Sequence, residues 1–207
     1  MTDRIAIFID GGYLNKVLAA FDSPTIAYEK LAEFMSMGRE ILRVYYYNCP
    51  PYQNNPPTPT ERERYARTQS FLNKLRQLPC FEVREGRLEF RGRDHEGRPI
   101  YVQKRVDIQL ACDLVQLASK GKITHALLLS GDSDFLPLVE LVKSEGIKFV
   151  LAFGGSPKVR PHSDLKTAAD ERLELTSEIF DQLRFDASDP EMEEAERELR
   201  NISFGHN

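Results

Sequence analysis

The chain is poor in the residues that staple a fold covalently or through a metal. Its three cysteines, Cys49, Cys80 and Cys112, stand far apart with no paired ligand or redox spacing. An odd, scattered set reads as reduced thiols rather than a disulfide framework. Cys112 falls inside an apolar helical pattern and is expected in the core. The four histidines, His95, His125, His162 and His206, form no spaced cluster, so a zinc centre lacks ligands. No apolar run approaches the roughly 18 residues of a membrane span, and no membrane partner is expected. The run Ile5–Ile9 is too short for the apolar part of a secretory signal and has no small-residue cleavage site after it. A cytoplasmic protein is expected. Charge of either sign is not in excess: 28 Lys+Arg stand against 32 Asp+Glu in 207 residues, a net charge of −4. With 41% hydrophobic and 29% charged residues, the composition excludes a wholly disordered chain, and the length suffices to bury a core.

What is present is alternation. Ile5–Ile9 is a continuous apolar run, the pattern of a strand buried on both faces. Further strands are expected at Ile41–Tyr47, Phe81–Arg84, Ala126–Leu129 and Ile147–Phe153. Helical patterns cover Tyr13–Phe21, Tyr28–Met37, Glu61–Gln77, about 104–119, about 134–144, and a last stretch from Ser163 to about Leu183. Residues 49–59 carry Pro50, Pro51, Pro56, Pro57 and Pro59 and read as a long loop with a functional role. Leu88–Arg91 and Ile100–Gln103 flank a polar Gly-containing tip and read as a hairpin, an insertion over about 86–103. Strand–helix alternation with fully apolar strands predicts an α/β sandwich around a mainly parallel sheet. It forms one domain over residues 1–185. Beyond it, 186–200 holds seven acidic and two basic residues, so 186–207 reads as an acidic C-terminal tail.

Aspartates sit where such a sheet binds ligands. Asp10 follows Ile5–Ile9 directly and precedes Gly11-Gly12; Asp132 and Asp134 follow Ala126–Leu129 in Ser130-Gly131-Asp132-Ser133-Asp134. Ligands of open parallel sheets bind outside the carboxyl ends of the strands, so both groups belong at one edge. On a helix beginning near Arg105, Asp107 shares the side of Ala111, Leu114 and Ala118. It therefore heads the apolar stripe and is expected to point inward. An inward carboxylate needs a partner: a cation shared with Asp10 and Asp132, or Lys104 one turn earlier. Asp113 is turned away and is the weaker candidate. Each acid also has a plain structural role open to it. Asp132, Ser133 or Asp134 can cap the next helix, Asp10 can form a turn, and Asp107 can pair with Lys104 or Arg105. All of these roles falling together at one edge is the less economical account. Oxygen-only ligands suit Mg²⁺ or Mn²⁺, and such an ion polarises a phosphodiester and orients water.

Three segments resemble a known family in order and spacing. They are Ile7-Phe8-Ile9-Asp10-Gly11-Gly12-Tyr13, Lys104–Asp113, and Leu128-Leu129-Ser130-Gly131-Asp132-Ser133-Asp134-Phe135. They are similar to the NYN domain, a PIN-like nuclease fold, and within it to the LabA-like branch, which Ser163–Asp170 also resembles. The resemblance covers residues 4 to about 183. It implies a Rossmann-like three-layer sandwich and a metal-dependent ribonuclease site at the sheet edge. Asp10, Asp107, Asp132 and Asp134 match the acidic positions, with Asp10, Asp107 and Asp132 as metal ligands. Ser130 matches the hydroxyl residue before the Gly-Asp step. Many members read Asp-Gly-x-Asn in the first motif; here Tyr13 holds the last position and Asn15 follows two residues on. Lys104 and Asn15 are supporting candidates.

Gripping RNA requires a local gathering of bases, because the whole chain is acidic. From Arg62 to Arg105 twelve basic residues face six acidic ones. Arg87, Arg91, Arg93 and Arg105 are candidate phosphate contacts, and Tyr65, Phe90 and Tyr101 candidate base contacts. Alternating acids within the segment also suit a solvated, charge-paired hairpin. Lys158 and Arg160, just after Gly154-Gly155, are placed to reach phosphates at the sheet edge. The expected partner is RNA, single-stranded, with a homodimer open if the Pro-rich loop or hairpin offers apolar surface. The alternative is a non-catalytic regulatory module of the same fold binding RNA or a protein. An aspartyl-phosphate phosphatase is disfavoured by Gly12 where a second Asp is needed. A dinucleotide enzyme is disfavoured because no Gly-x-Gly-x-x-Gly follows the first strand.

Overall fold

The computed structural model describes residues 3–185 and Glu194. Apart from Glu194, the expected acidic tail lies outside the described residues. Six parallel strands form the main sheet: β1 (Arg4–Asp10), β2 (Glu40–Asn48), β3 (Phe81–Glu85), β6 (His125–Leu129), β7 (Lys148–Gly154) and β8 (Glu171–Leu175). Their spatial order is β3-β2-β1-β6-β7-β8. The chain therefore builds outward from β1 in one direction, returns across the sheet, and builds outward from β6 in the other. The neighbours β1 and β6 are the point where that order reverses. Ile5–Ile9 and Ala126–Leu129 are fully buried there, as their unbroken apolar runs require.

Helices cover both faces, and consecutive residues of β2 show which lies where. Tyr46 packs edge-on against Tyr28 of α2 (Tyr28–Ser36) and Phe71 of α3 (Pro59–Gln77). Tyr47 points the opposite way and donates to Asp113 Oδ2 (3.0 Å) on α4 (Val106–Ser119). α4 packs beside α5 (Leu136–Ser144). The result is the expected three-layer α/β sandwich. α3 starts where its sequence says it must. Thr58 caps Glu61 N–H, the Glu61 carboxylate returns to Thr58 N–H (2.8 Å), and Pro59 supplies a first-turn residue that needs no donor. The hairpin is a separate two-stranded sheet, β4 (Arg87–Arg93) and β5 (Pro99–Lys104), inserted between β3 and α4. Among the described residues no helix is long and apolar enough to cross a membrane.

Three expectations change. The stretch from Ser163 to Leu183 is not one helix but α6 (Ser163–Ala168), strand β8 and α7 (Ser177–Gln182). Asp170 turns the chain: its N–H donates to Phe149 O (2.9 Å) and its carboxylate accepts from Phe149 N–H (2.8 Å). The chain is thereby delivered to the open edge of β7. Along β8 the more exposed positions are Arg172 and Glu174, a charged alternation that suits an edge strand. Cys112 is exposed, not in the core. Likewise Asp107 is exposed, because the buried stripe of α4 runs through Val106, Leu110, Leu114 and Ala118 rather than through residue 107.

Candidate functional site

The carboxyl edge at the β1–β6 reversal opens into a pocket of about 490 Å³. Asp10, Tyr13, Lys16, Gln103, Asp107, Ser130, Asp132, Lys158 and Arg160 contribute to its lining. Each acidic side chain arrives on a different element. Asp10 ends β1 and caps α1 (Gly11–Ala19), its Oδ1 accepting from Tyr13 N–H (3.1 Å). Ser130, fully buried just past β6, donates to Asp10 Oδ2 (3.4 Å) and accepts from Asp132 N–H (3.3 Å). One hydroxyl thus ties the two strand ends together. Asp132 Oδ1 accepts from Asp134 N–H (2.9 Å), closing a short 3₁₀ turn over Ser133–Phe135. Asp107 enters from the first turn of α4. That turn begins at Arg105, whose backbone is left-handed (φ 80°), an unfavourable conformation for a side chain of this size.

The sequence candidates divide accordingly. Asp10, Asp107, Asp132, Ser130, Lys158 and Arg160 meet at the pocket. Asp134 does not line it; its backbone orients Asp132 and its charge acts on Asp107. Asn15 lies on α1 outside the lining residues. Lys104 closes β5 beside Gln103, and no ion pair joins Lys104 or Arg105 to Asp107 among the described residues. Asp113 belongs to a different assembly: it accepts from Arg84 Nε (2.9 Å) and from Tyr47. Arg87 and Arg91 both pair with Glu89. Arg93 donates to Gly97 O (2.7 Å). The hairpin arginines are therefore occupied at home.

Tyr13, Lys16 and Gln103 were not legible as site residues. Tyr13 does more than fill the place of an asparagine. Its hydroxyl donates to Val159 O (2.6 Å) and accepts from Gly154 N–H (3.4 Å). A Cβ on Gly131 would lie 2.6 Å from its ring, so only glycine lets the Ser130–Asp132 turn approach so closely. One tyrosine thereby holds the start of α1, the acidic turn and the segment bearing Lys158 and Arg160 in fixed relation.

The electrostatics are those of uncompensated negative charge. Burial raises the Asp10 carboxyl pKa and the Asp107 charge adds to that. Hydrogen bonds from the Tyr13 and Gly12 N–H groups and from Ser130 pull it back. Asp107 is raised by desolvation and then by Asp132 and Asp134. None of these four acids forms an ion pair among the described residues. A carboxyl raised in the folded state favours folding below its unfolded pKa and loses that contribution as pH rises through the folded value. Asp107→Asn is therefore expected to melt higher than wild type at pH 7–8 without divalent ions, by no more than about 2 °C given its exposure. The advantage should vanish as pH falls into the ordinary carboxylate range. Thermal melts between pH 4 and 8 check this; a pH-independent difference would contradict the repulsion.

The donor set fits a hard divalent ion in chemistry, since every acidic contributor offers carboxylate oxygen. Among the described residues no three His, Cys, Asp or Glu side chains are drawn together as a ready-made metal cage. That is compatible with Mg²⁺ or Mn²⁺, since Mg²⁺ usually keeps several waters and takes one or two carboxylates plus substrate phosphate.

A six-stranded parallel sheet covered by helices on both faces is the architecture of a PIN-like three-layer sandwich. The chain belongs to the NYN domain family, whose model matches residues 4–176. That family generally has a nuclease-like PIN fold, is nucleic-acid-related and is usually dependent on divalent metal. No curated protein matches. The chain is similar in structure to a protein of unknown function from Vibrio parahaemolyticus, solved by crystallography. The TM-score is 0.57 at 20% identity, over 84% of this chain and 93% of that one. That likeness concerns the fold alone.

Proposed function

We propose that the protein is a metal-dependent ribonuclease that hydrolyses RNA phosphodiester bonds at the Asp10–Asp107–Asp132 pocket. The observation that carries the reading is the entry of these three acids, remote in sequence, into one pocket that Lys16, Lys158 and Arg160 also line. Asp10, Asp107 and Asp132 would hold the Mg²⁺ or Mn²⁺. When bound, the ion supplies a polarised phosphate, an activated water and charge stabilisation at the leaving oxygen. The chain's own residues do the rest. Lys16, Lys158 and Arg160 attract and orient phosphates against the acidic floor. Ser130 keeps Asp10 and Asp132 aimed into the pocket, and Asp134 N–H fixes the Asp132 carboxylate. Among the described residues no serine, cysteine or histidine nucleophile lines the pocket beyond Ser130, whose hydroxyl is engaged with Asp10. Water is the nucleophile this arrangement calls for. A single domain over 1–185, a cytoplasmic setting and single-stranded RNA as substrate belong to the same reading.

The test is direct. Purified full-length protein with end-labelled single-stranded RNA is expected to cut it with Mn²⁺ or Mg²⁺ and to stop when the ion is chelated. RNA bound but left intact with both ions would replace this reading by a non-catalytic RNA-binding module.

A further inference from the structure

The hairpin carries rings where its charges cancel. Arg87 and Arg91 are paired with Glu89, and Arg98 with Asp94 and Glu96. What it leaves open is apolar: Phe90 and Tyr101 are 44% and 42% exposed. Tyr52, from the Pro-rich loop, joins them, with ring centroids 5.2 Å from Tyr101 and 6.2 Å from Phe90; Phe90 and Tyr101 are 6.0 Å apart. No single segment holds this trio; the fold assembles it.

Strand register ties the trio to the pocket. Leu88 pairs with Gln103, and Phe90 with Tyr101. Directly opposed residues share a face, as do residues two apart, so Leu88, Gln103, Phe90 and Tyr101 lie on one face of the hairpin. Gln103 on that face lines the acidic pocket. Tyr101 is two strand residues further on, roughly 6.8 Å, the order of one extended nucleotide. At the pocket end lie cations without ion-pair partners among the described residues, Lys16, Lys158 and Arg160 in its lining with Lys104 and Arg105 between Gln103 and Asp107; beyond Gln103 the hairpin's one arginine outside an ion pair, Arg93, donates to Gly97 O (2.7 Å). Phosphate attraction is thus concentrated at the pocket, and the neighbouring surface offers aromatic area with little net charge. That combination suits a polyanion whose backbone is held at one point while an adjacent base leaves the backbone and stacks.

We infer that Tyr52, Phe90 and Tyr101 form a stacking platform for an unpaired RNA base next to the nucleotide whose phosphate lies in the pocket. The inference rests on the proposed RNA cleavage and narrows it. The base beside the cut must be unpaired, because a base stacked within a duplex cannot offer its face. Stacking tolerates any base, so the platform selects strandedness rather than sequence.

The experiment uses the full chain and a short single-stranded RNA carrying 2-aminopurine beside the cleaved linkage. Tyr101→Leu and Tyr52→Leu keep apolar bulk; each is expected to raise KM about ten-fold with kcat nearly unchanged. Tyr101→Phe should restore wild-type KM. In the Asp10→Asn background, binding should quench the 2-aminopurine, and Tyr101→Leu should abolish the quench. Unchanged KM and quench in both Leu variants, with wild type still cutting, overturns the platform and leaves the nuclease reading standing. Quenching without cutting by wild type keeps the platform and removes the nuclease. Loss of a dimer in sedimentation on Tyr101→Leu, with RNA binding unaltered, shows that a second copy covers the rings and overturns it as well.

Discussion

Asp10→Asn is expected to lower Mn²⁺-dependent RNA cleavage by at least about 100-fold, the scale of losing one aimed electrostatic group in an active site. The fold should survive. Asn keeps the oxygen that accepts from Tyr13 N–H at the start of α1. Its NH2 replaces the oxygen that accepts from Ser130 Oγ, so the negative charge and that weak 3.4 Å bond are lost. Because burial and Asp107 both disfavour that charge, the variant should melt no lower than wild type at neutral pH without divalent ions. Added Mn²⁺ should then raise the wild-type melting temperature and leave the variant unmoved. Cleavage within a factor of a few of wild type would remove Asp10 from the site and the ribonuclease reading with it.

Gly86→Ala is the second large effect, and it is steric. Gly86 links β3 to the hairpin, its N–H donating to Asn48 O (2.9 Å). An added Cβ would lie 2.5 Å from Val106 Cγ2, 2.6 Å from Lys104 O and 2.7 Å from Cys49 Sγ. The middle one of these is backbone and cannot rotate away. Overpacking of this kind costs about 1–3 kcal/mol, to be measured by denaturant unfolding. The segment pushed aside runs from Gln103 to Asp107, so cleavage should fall together with stability. Wild-type stability and activity in Gly86→Ala would mean that the hairpin root has slack the packing does not show.

How much of this was visible in the residues follows from burial. Ile5–Ile9 and Ala126–Leu129 announce themselves because strands covered on both faces admit no polar residue. Asp10 and Asp132 are legible for the same reason: each is the first acid after such a run, and chain direction then places both at one edge. Asp107 is reached as a candidate through an incorrect orientation. Leu114 and Ala118 are buried as expected, but the first two turns bury Val106 and Leu110 in place of residues 107 and 111, so the Asp107 carboxylate faces solvent and feels the Asp132 charge. Strand β8 was hidden because Glu171–Leu175 alternates for only five residues and sits between two short helices, where periods of 2 and 3.6 cannot be told apart. Gln103 and Tyr52 were not recoverable at all. Their positions beside the pocket and against Tyr101 come from hairpin register and from a loop folding across it, neither of which leaves a local pattern. The arginines read differently in the two: Arg87, Arg91 and Arg98 look like a basic patch in one dimension and are paired with Glu89, Asp94 and Glu96 in three.

The hairpin shares no ladder with the six-stranded sheet, and its tip is closed by its own bonds, Asp94 accepting from the N–H groups of Glu96 and Arg98 (both 2.9 Å). The chain can therefore lengthen, shorten or rewrite the hairpin beyond Phe90 and Tyr101 without changing the register of any strand that carries an acid. On the proposed reading, the acids and the rings sit on separable pieces of polypeptide. Grafting a foreign hairpin between Gly86 and Gln103 is then expected to change which nucleic acid is held and to leave the acidic edge as it was.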